Sequence, residues 1–236
     1  MTHAAERLGS AREAAGTVDG WLTAAEGELL FNFAAACPRD GTIVEIGSWK
    51  GKSTTWLARG AGDDRGIRIF AVDPHEPYLA DPLADSLREF RANMERLGLT
   101  RIVTPIVARS QAAARSFDAP IDVLFIDGDH EEAAVVSDLA LWLPKLRVGG
   151  FLAMHDVRNR RWPGVSRELS RLLWRSSTLG EVRFADSIAA MRRVARSSVR
   201  ARLRNRWLAI CLRAYAESPA LPRPLVSLAR KIVFRA

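Results

Sequence analysis

An α/β fold with a mostly parallel sheet is the architecture this sequence predicts, and three observations predict it. Runs of β-branched and apolar residues of strand length recur at positions 42–46, 67–72, 102–107, 121–126 and 151–154. Helix-patterned stretches lie between them, at 53–59, 83–97, 111–117 and 131–143. Alternation of this kind implies right-handed crossovers and a sheet covered on both faces. The rhythm then changes: residues 181–184 and 188–193 are strand-like with three residues between them, which predicts a terminal antiparallel hairpin and a seven-stranded sheet.

The flanks read as helical. Thr23 and Glu26 form a capping box that opens a helix running to about Ala36, with Leu29, Leu30 and Phe33 facing inward and Pro38 and Gly41 closing it. After the sheet, Val199, Leu203, Trp207, Ile210, Cys211 and Ala214 keep helical spacing, while Arg200, Arg202, Arg204, Arg206 and Arg213 fall mostly on other faces. Residues 218–224 carry three prolines that break this helix before a last short amphipathic piece. The expected division is an N-terminal helical segment over 1–40, a main domain over 41–195 and a basic C-terminal extension over 196–236.

Composition narrows the function. At 236 residues and 48% hydrophobic content the chain supports one large domain and excludes wholesale disorder. The first fifteen residues lack the basic start and apolar run of a signal peptide, and no apolar run reaches membrane-spanning length, so a cytoplasmic location is expected. Cys37 and Cys211 are too few for a disulfide framework or a cysteine-based zinc site and read as reduced thiols. The net charge of +8 is unevenly spread: residues 196–236 hold ten Lys/Arg against one acid and residues 157–195 nine against three, leaving the first 156 residues net acidic.

The stretch 44–58, VEIGSWKGKSTTWLA, is a strand, a glycine turn and a helix start. Free amides at such a junction accept an anionic or polar ligand group. Only three residues separate Gly47 from Gly51, one short of a Walker A loop, although 123–127 imitates a Walker B strand; the spacing does not fit G-x-G-x-x-G either. Glu45 ends the first strand, where an acid repels pyrophosphate and welcomes an ammonium. S-adenosylmethionine carries an ammonium and no pyrophosphate, so the loop comprising Gly47, Ser48, Gly51, Ser53 and Thr54 suits it. Asp73 ends the second strand, placed to accept ribose hydroxyls, and Ser110 and Gln111 follow the third, within reach of an adenine edge. Plain turn chemistry is the bland alternative for the two glycines.

A second constellation sits at the next two strand ends. FIDGDHEEA, 125–133, presents Asp127, Asp129 and His130; GGFLAMHDV, 149–157, presents His155 and Asp156. Two neighbouring tips converge on one small volume, and carboxylates with an imidazole suit a divalent cation such as Mg²⁺ or Mn²⁺. Asp127, His155 and Asp156 are the expected ligands; Asp129 also reads as a cap for the following helix, and a lone His as an ordinary hydrogen bonder.

Residues 21–195 resemble the class I S-adenosylmethionine-dependent methyltransferases with their Rossmann-like fold, in particular the small metal-dependent O-methyltransferases. The resemblance rests on an acid ending strand four, a basic residue three positions later and a paired ligand after strand five. It implies that Asp127 is the first metal ligand, near the cofactor as well, that His130 stands where the family places its general-base lysine, and that His155 and Asp156 take the paired-ligand positions. His155 departs from the carboxylate usual there. The resemblance extends to macrolide-sugar O-methyltransferases and an actinobacterial methylmannose polysaccharide 1-O-methyltransferase, which favours a saccharide hydroxyl over a phenolic or natural-product one. Trp162, Trp174, His75 and Tyr78 are candidates to line the acceptor cleft, with core packing the alternative for the tryptophans.

A solvated or oligomer-contacting helix is the leading reading of the basic extension, with a homodimer expected; nucleic-acid binding and peripheral membrane attachment rank below it. A nucleotide hydrolase is the remaining rival for the glycine loop.

Overall fold

A computed structural model of the chain describes residues 2–76 and 85–217. Tyr78, the start of the helix expected from 83, and the proline-rich break at 218–224 with the piece after it lie outside the described residues. The strands are β1 (Thr42–Ile46), β2 (Arg68–Asp73), β3 (Val103–Val107), β4 (Ile121–Ile126), β5 (Leu146–Met154), β6 (Leu179–Ala185) and β7 (Ile188–Arg193). They form one sheet in the order β3-β2-β1-β4-β5-β7-β6, parallel from β3 through β5 and antiparallel across β5-β7-β6. The seven-stranded, mostly parallel sheet with its terminal hairpin is thus as the sequence predicts.

Helices cover both faces. On one side α1 (Thr2–Gly16), α2 (Ala24–Ala36), α3 (Lys52–Ala61) and α4 (Ser86–Arg96) pack over Ile43, Ile69, Val123 and Phe125. On the other, α5 (Ser110–Ser116), α6 (Glu132–Trp142), α7 (Pro163–Arg175) and α8 (Val199–Ala216) cover Val44, Ile46, Leu124 and Leu152. The central strands β1 and β4 are buried along their whole length, which is why they read as continuous apolar runs rather than alternating ones.

Local chemistry sets the boundaries. The Thr23–Glu26 capping box opens α2: the Thr23 side chain accepts from the Glu26 amide, and the Glu26 carboxylate accepts from the Thr23 amide at 2.9 Å. Asp85 caps α4 through the Arg88 amide at 3.0 Å. Strand β5 begins five residues earlier than the apolar run suggests. Gly149, at φ +92, and Gly150 lie within the strand, and the pairing absorbs them in an irregularity between Ile121 and Val123.

Helix α3 lies against α2 because Gly60 lets them touch: a Cβ there would stand 2.3 Å from the Phe31 carbonyl oxygen. Gly60→Ala is expected to destabilise the fold by about 1–3 kcal/mol, read as a lower urea midpoint with an unchanged m-value.

Candidate active site

Pairing register builds the site before any side chain enters. Gly47 N donates to Val72 O at 2.8 Å, Asp127 N to Ile46 O at 2.8 Å and His155 N to Ile126 O at 3.0 Å. The ends of β2, β1, β4 and β5 therefore stand level, and Asp73, Gly47, Asp127 and His155 form one row along the carboxyl edge of the sheet, where open α/β sheets bind ligands. Trp49, His75 and Asp156 all adopt positive φ along this edge, at 42°, 52° and 57°. Side chains other than glycine take that conformation at a cost, and such strain concentrates at functional sites.

The glycine loop follows from two positions. Gly47 has φ +86, and a Cβ on it would sit 2.1 Å from the Asp127 carbonyl oxygen, so only glycine brings β1 this close to the turn after β4. Gly51, at φ +92, starts α3. The Asp73 carboxylate gathers the loop, accepting from Ser48 N at 3.0 Å, Trp49 N at 2.8 Å and His75 N at 2.7 Å. Lys50 pairs with Glu89 at 2.9 Å and Lys52 donates to Gly20 O at 3.0 Å, so neither lysine is held at the loop as a phosphate-binding lysine would be.

Glu45 differs from its expected open position. It is wholly buried beneath the first turn of α3, where Thr54 and Ser53 hydroxyls bond its carboxylate. Burial pushes its pKa up to about 8, against those hydrogen bonds and with help from Asp127 and Asp73. Its Oε1 and the Ser48 hydroxyl are buried without a hydrogen-bond partner. Two orphaned oxygens beneath a glycine turn fit a ligand that brings an ammonium and hydroxyls, and this supports the cofactor inferred from the sequence. Ser110 also differs: its hydroxyl donates to Asp138 and accepts from Trp142 Nε1 at 2.8 Å, which commits it to the packing of α5 on α6. Gln111 is half-buried in the first turn of α5.

The second constellation is brought together. One ligand atom each from Asp127, His130 and Asp156 lies within 4.8 Å of the others. His130 Nε2 stands 2.8 Å from Asp156 Oδ2 and 3.7 Å from Asp127 Oδ1, and its ring stacks on Trp162 at 5.0 Å between centroids. His155, expected as a ligand, adjoins this group, its Nδ1 3.6 Å from Asp156 Oδ2. Its Nδ1 is 3.0 Å from Asp127 Oδ1 and its Nε2 3.4 Å from Glu26 Oε2. Asp156 Oδ1 accepts from Asn159 Nδ2 at 2.9 Å, and Asp129 accepts from Glu131 N at 3.0 Å within the loop before α6, whose cap position is Glu131, so the capping role expected as its alternative is not what it plays. His130 Nε2 and both His155 nitrogens lack a well-directed hydrogen bond despite these short approaches. Oxygen and nitrogen donors crowded without alignment are the donor set a divalent cation takes.

The charges explain the arrangement. Burial alone would lower the pKa of both imidazoles, but Asp127 and Asp156 reverse this, raising His130 to about 9 and, with Glu26 adding to the effect, His155 to about 12. Asp156 is pulled far below the usual carboxylate range, against its burial, by the two imidazoles and Asn159.

One partner in the site was missed by sequence reasoning. Glu26 reaches from α2, and Ser187 N and Oγ donate to its Oε1 at 2.8 and 2.6 Å. Its capping-box role was legible; its 161-residue reach was not. Trp162, a cleft candidate in the sequence, stacks on His130. Of the other cleft candidates, His75 is buried against Ser86, with Nδ1 3.0 Å from Oγ, and Trp174 is exposed on α7 under Arg206.

Burial raises the pKa of Glu26, yet the close His155 ring and the hydrogen bonds from Ser187 and Thr23 overcome it and bring the group from 4.5 down to about 2. Its stabilising contribution is complete above the unfolded value and lost as pH falls through the folded one. In urea titrations Glu26→Gln is expected to lose roughly 3 kcal/mol at pH 7, the gap from wild type closing as pH is lowered from 4.5 toward 2.

Comparison with known proteins agrees with this geometry. Residues 44–157 match the family model described as a methyltransferase domain. The catechol O-methyltransferase of Mycobacterium tuberculosis is 28% identical over 146 residues, covering 57% of this chain and 61% of that protein. An uncharacterized protein of Acanthamoeba polyphaga mimivirus is 40% identical over 142 residues, covering 57% and 60%. The chain thus spans about three fifths of each relative's length. Among solved structures, an O-methyltransferase from Bacillus cereus in complex with SAH superimposes with a TM-score of 0.55 at 20% identity, covering 80% of this chain and 91% of that one. From β1 to just past the tip of β5 the chain is thus similar to a methyltransferase domain, and its fold is that of the solved O-methyltransferase.

Proposed function

We propose that the protein is an S-adenosylmethionine-dependent, divalent-metal-assisted O-methyltransferase acting on a hydroxyl of a small hydrophilic acceptor, with a sugar or oligosaccharide as the favoured class. The observation that carries this reading is the single row of strand ends that sets the glycine loop beside the Asp127, His130 and Asp156 cluster.

Gly47, Gly51, Ser48, Ser53 and Thr54 would hold the methionine end of the cofactor, with Glu45 Oε1 receiving its ammonium. Asp73 would accept the ribose hydroxyls while it keeps the loop amides, and Ser110, Gln111 and Asp127 would border the nucleoside. When bound, the cofactor supplies an activated methyl and the cation, Mg²⁺ in this proposal, acidifies the acceptor hydroxyl. Asp127 and Asp156 would hold the cation. His130, stacked on Trp162, would take the acceptor proton at Nε2 when a cation on Asp127 and Asp156 offsets the carboxylate charge that otherwise holds its ring protonated. His155, fixed by Glu26, balances the carboxylates. A second reading makes His130 the third ligand, because its atom shares the 4.8 Å cluster with the two aspartates.

S-adenosylhomocysteine, but neither ATP nor NAD, is expected to raise the melting temperature, with a further rise on adding Mg²⁺ or Mn²⁺ that EDTA reverses and that Asp127→Asn and Asp156→Asn each abolish. Stabilisation by ATP alone would overturn the assignment. His130→Ala separates the two roles of that residue. As a base, its loss lowers turnover about 10²–10⁴-fold with Mn²⁺ affinity kept; as a ligand, its loss weakens Mn²⁺ binding about 10–100-fold. Methyl-label transfer across a saccharide and a phenol panel tests the acceptor class.

A further inference from the structure

Helix α8 has two apolar faces, and only one is covered. Asn205, Leu208, Ala209, Cys211, Leu212 and Tyr215 are buried against the domain. On the opposite side Val199, Leu203, Trp207 and Ile210 remain 64%, 61%, 51% and 50% exposed, and Trp174 of α7 continues the patch at 50%. At about 100° per residue these four α8 positions fall within an arc of about 80°. Arg200 borders one margin of that arc, Arg206 and Arg213 the other, and the Arg206 guanidinium lies 5.5 Å over the Trp174 ring, joining the two helices.

We propose that this face of α8, with Trp174, docks onto an anionic lipid surface. An apolar stripe between rows of arginine, with tryptophan at its edge, matches the boundary between acyl chains and negatively charged headgroups. No helix among the described residues is long and apolar enough to cross a membrane, so the contact is one of lying on the surface. Charge argues against a second copy of the chain as the occupant. Residues 199–216 contain no acid, and Glu217 is engaged by Arg213 at 2.6 Å, so a twofold contact through this stripe would set arginine against arginine. Chemistry argues against nucleic acid, because Val199, Leu203 and Ile210 offer neither hydrogen bonds to phosphate nor a ring for a base to stack on. The far end of α8 bears on the candidate site: Tyr215 Oη donates to Arg158 O at 2.7 Å, bracing the loop that carries Trp162 to His130. The proposal stands independently of methyl transfer.

The test is flotation of the full-length protein with vesicles of phosphatidylcholine alone and of phosphatidylcholine with phosphatidylglycerol. Wild type is expected to float with the anionic vesicles roughly tenfold or more in excess of the neutral ones, and less at high salt. Leu203→Glu with Trp207→Glu is expected to lose about tenfold or more of that retention, with its far-UV circular dichroism and S-adenosylhomocysteine affinity unchanged. If that double variant is unstable, Val199→Asn with Ile210→Asn serves in its place. Brominated lipid should quench the fluorescence of wild type more than that of Trp207→Phe. Equal retention of wild type and variants, or no preference for anionic vesicles, overturns the proposal. So does a dimer in light scattering that Leu203→Glu dissociates, and so does salt-sensitive RNA retention in place of vesicle binding. A large fall in the melting temperature of Leu203→Glu with vesicle binding intact would show the stripe covered by the chain's own residues and likewise overturn it.

Discussion

Level strand ends are the constraint on which the rest of the molecule depends. Parallel neighbours lie about 4.8 Å apart, so four aligned tips deliver their first loop residues into one shallow trough. The pairings that do this are backbone hydrogen bonds between buried strands, from Gly47 to Val72, Asp127 to Ile46 and His155 to Ile126. Because β1 and β4 are covered on both faces, a slip of either would cost much of the core along with the site. Stability and placement are therefore the same set of contacts.

The site carries tension that this frame can bear. Positive φ at Trp49, His75 and Asp156, and unpartnered oxygens on Glu45 and Ser48, would be expensive in a loosely held loop. Here the Asp73 carboxylate ties down the loop amides, and Glu26 and Ser187 hold the ring of His155. Groups kept in place while unsatisfied are preorganised for a ligand that completes them.

How far the sequence disclosed this depends on the range of each interaction. Strands and crossover helices were legible because burial on both faces leaves a local apolar signature. Helix α1 was legible only as part of a helical segment over 1–40, without bounds of its own, since its buried anchors are Ala11 and Ala15, too small to mark a periodic face. Helix α7 was obscured by Pro163, which stands in the first turn as a helix opener rather than a breaker. In the site, spacing placed Asp127, His130, His155 and Asp156 at two adjacent tips but did not show which imidazole turns toward the aspartates' outer side. That choice follows from the left-handed backbone of Asp156 and the carboxylate of Glu26 behind His155, neither of which has a local sequence signal.

The contribution of α2 redraws the limits of the working unit. The methyltransferase-domain match starts at residue 44, whereas Glu26 precedes it and Ser187 follows its last residue at 157. A fragment trimmed to the matched span would keep every strand-tip residue named above yet leave the His155 ring facing solvent on the side that Glu26 now closes. The helix that begins at the capping box is therefore the back wall of the trough, and its removal would be felt there first.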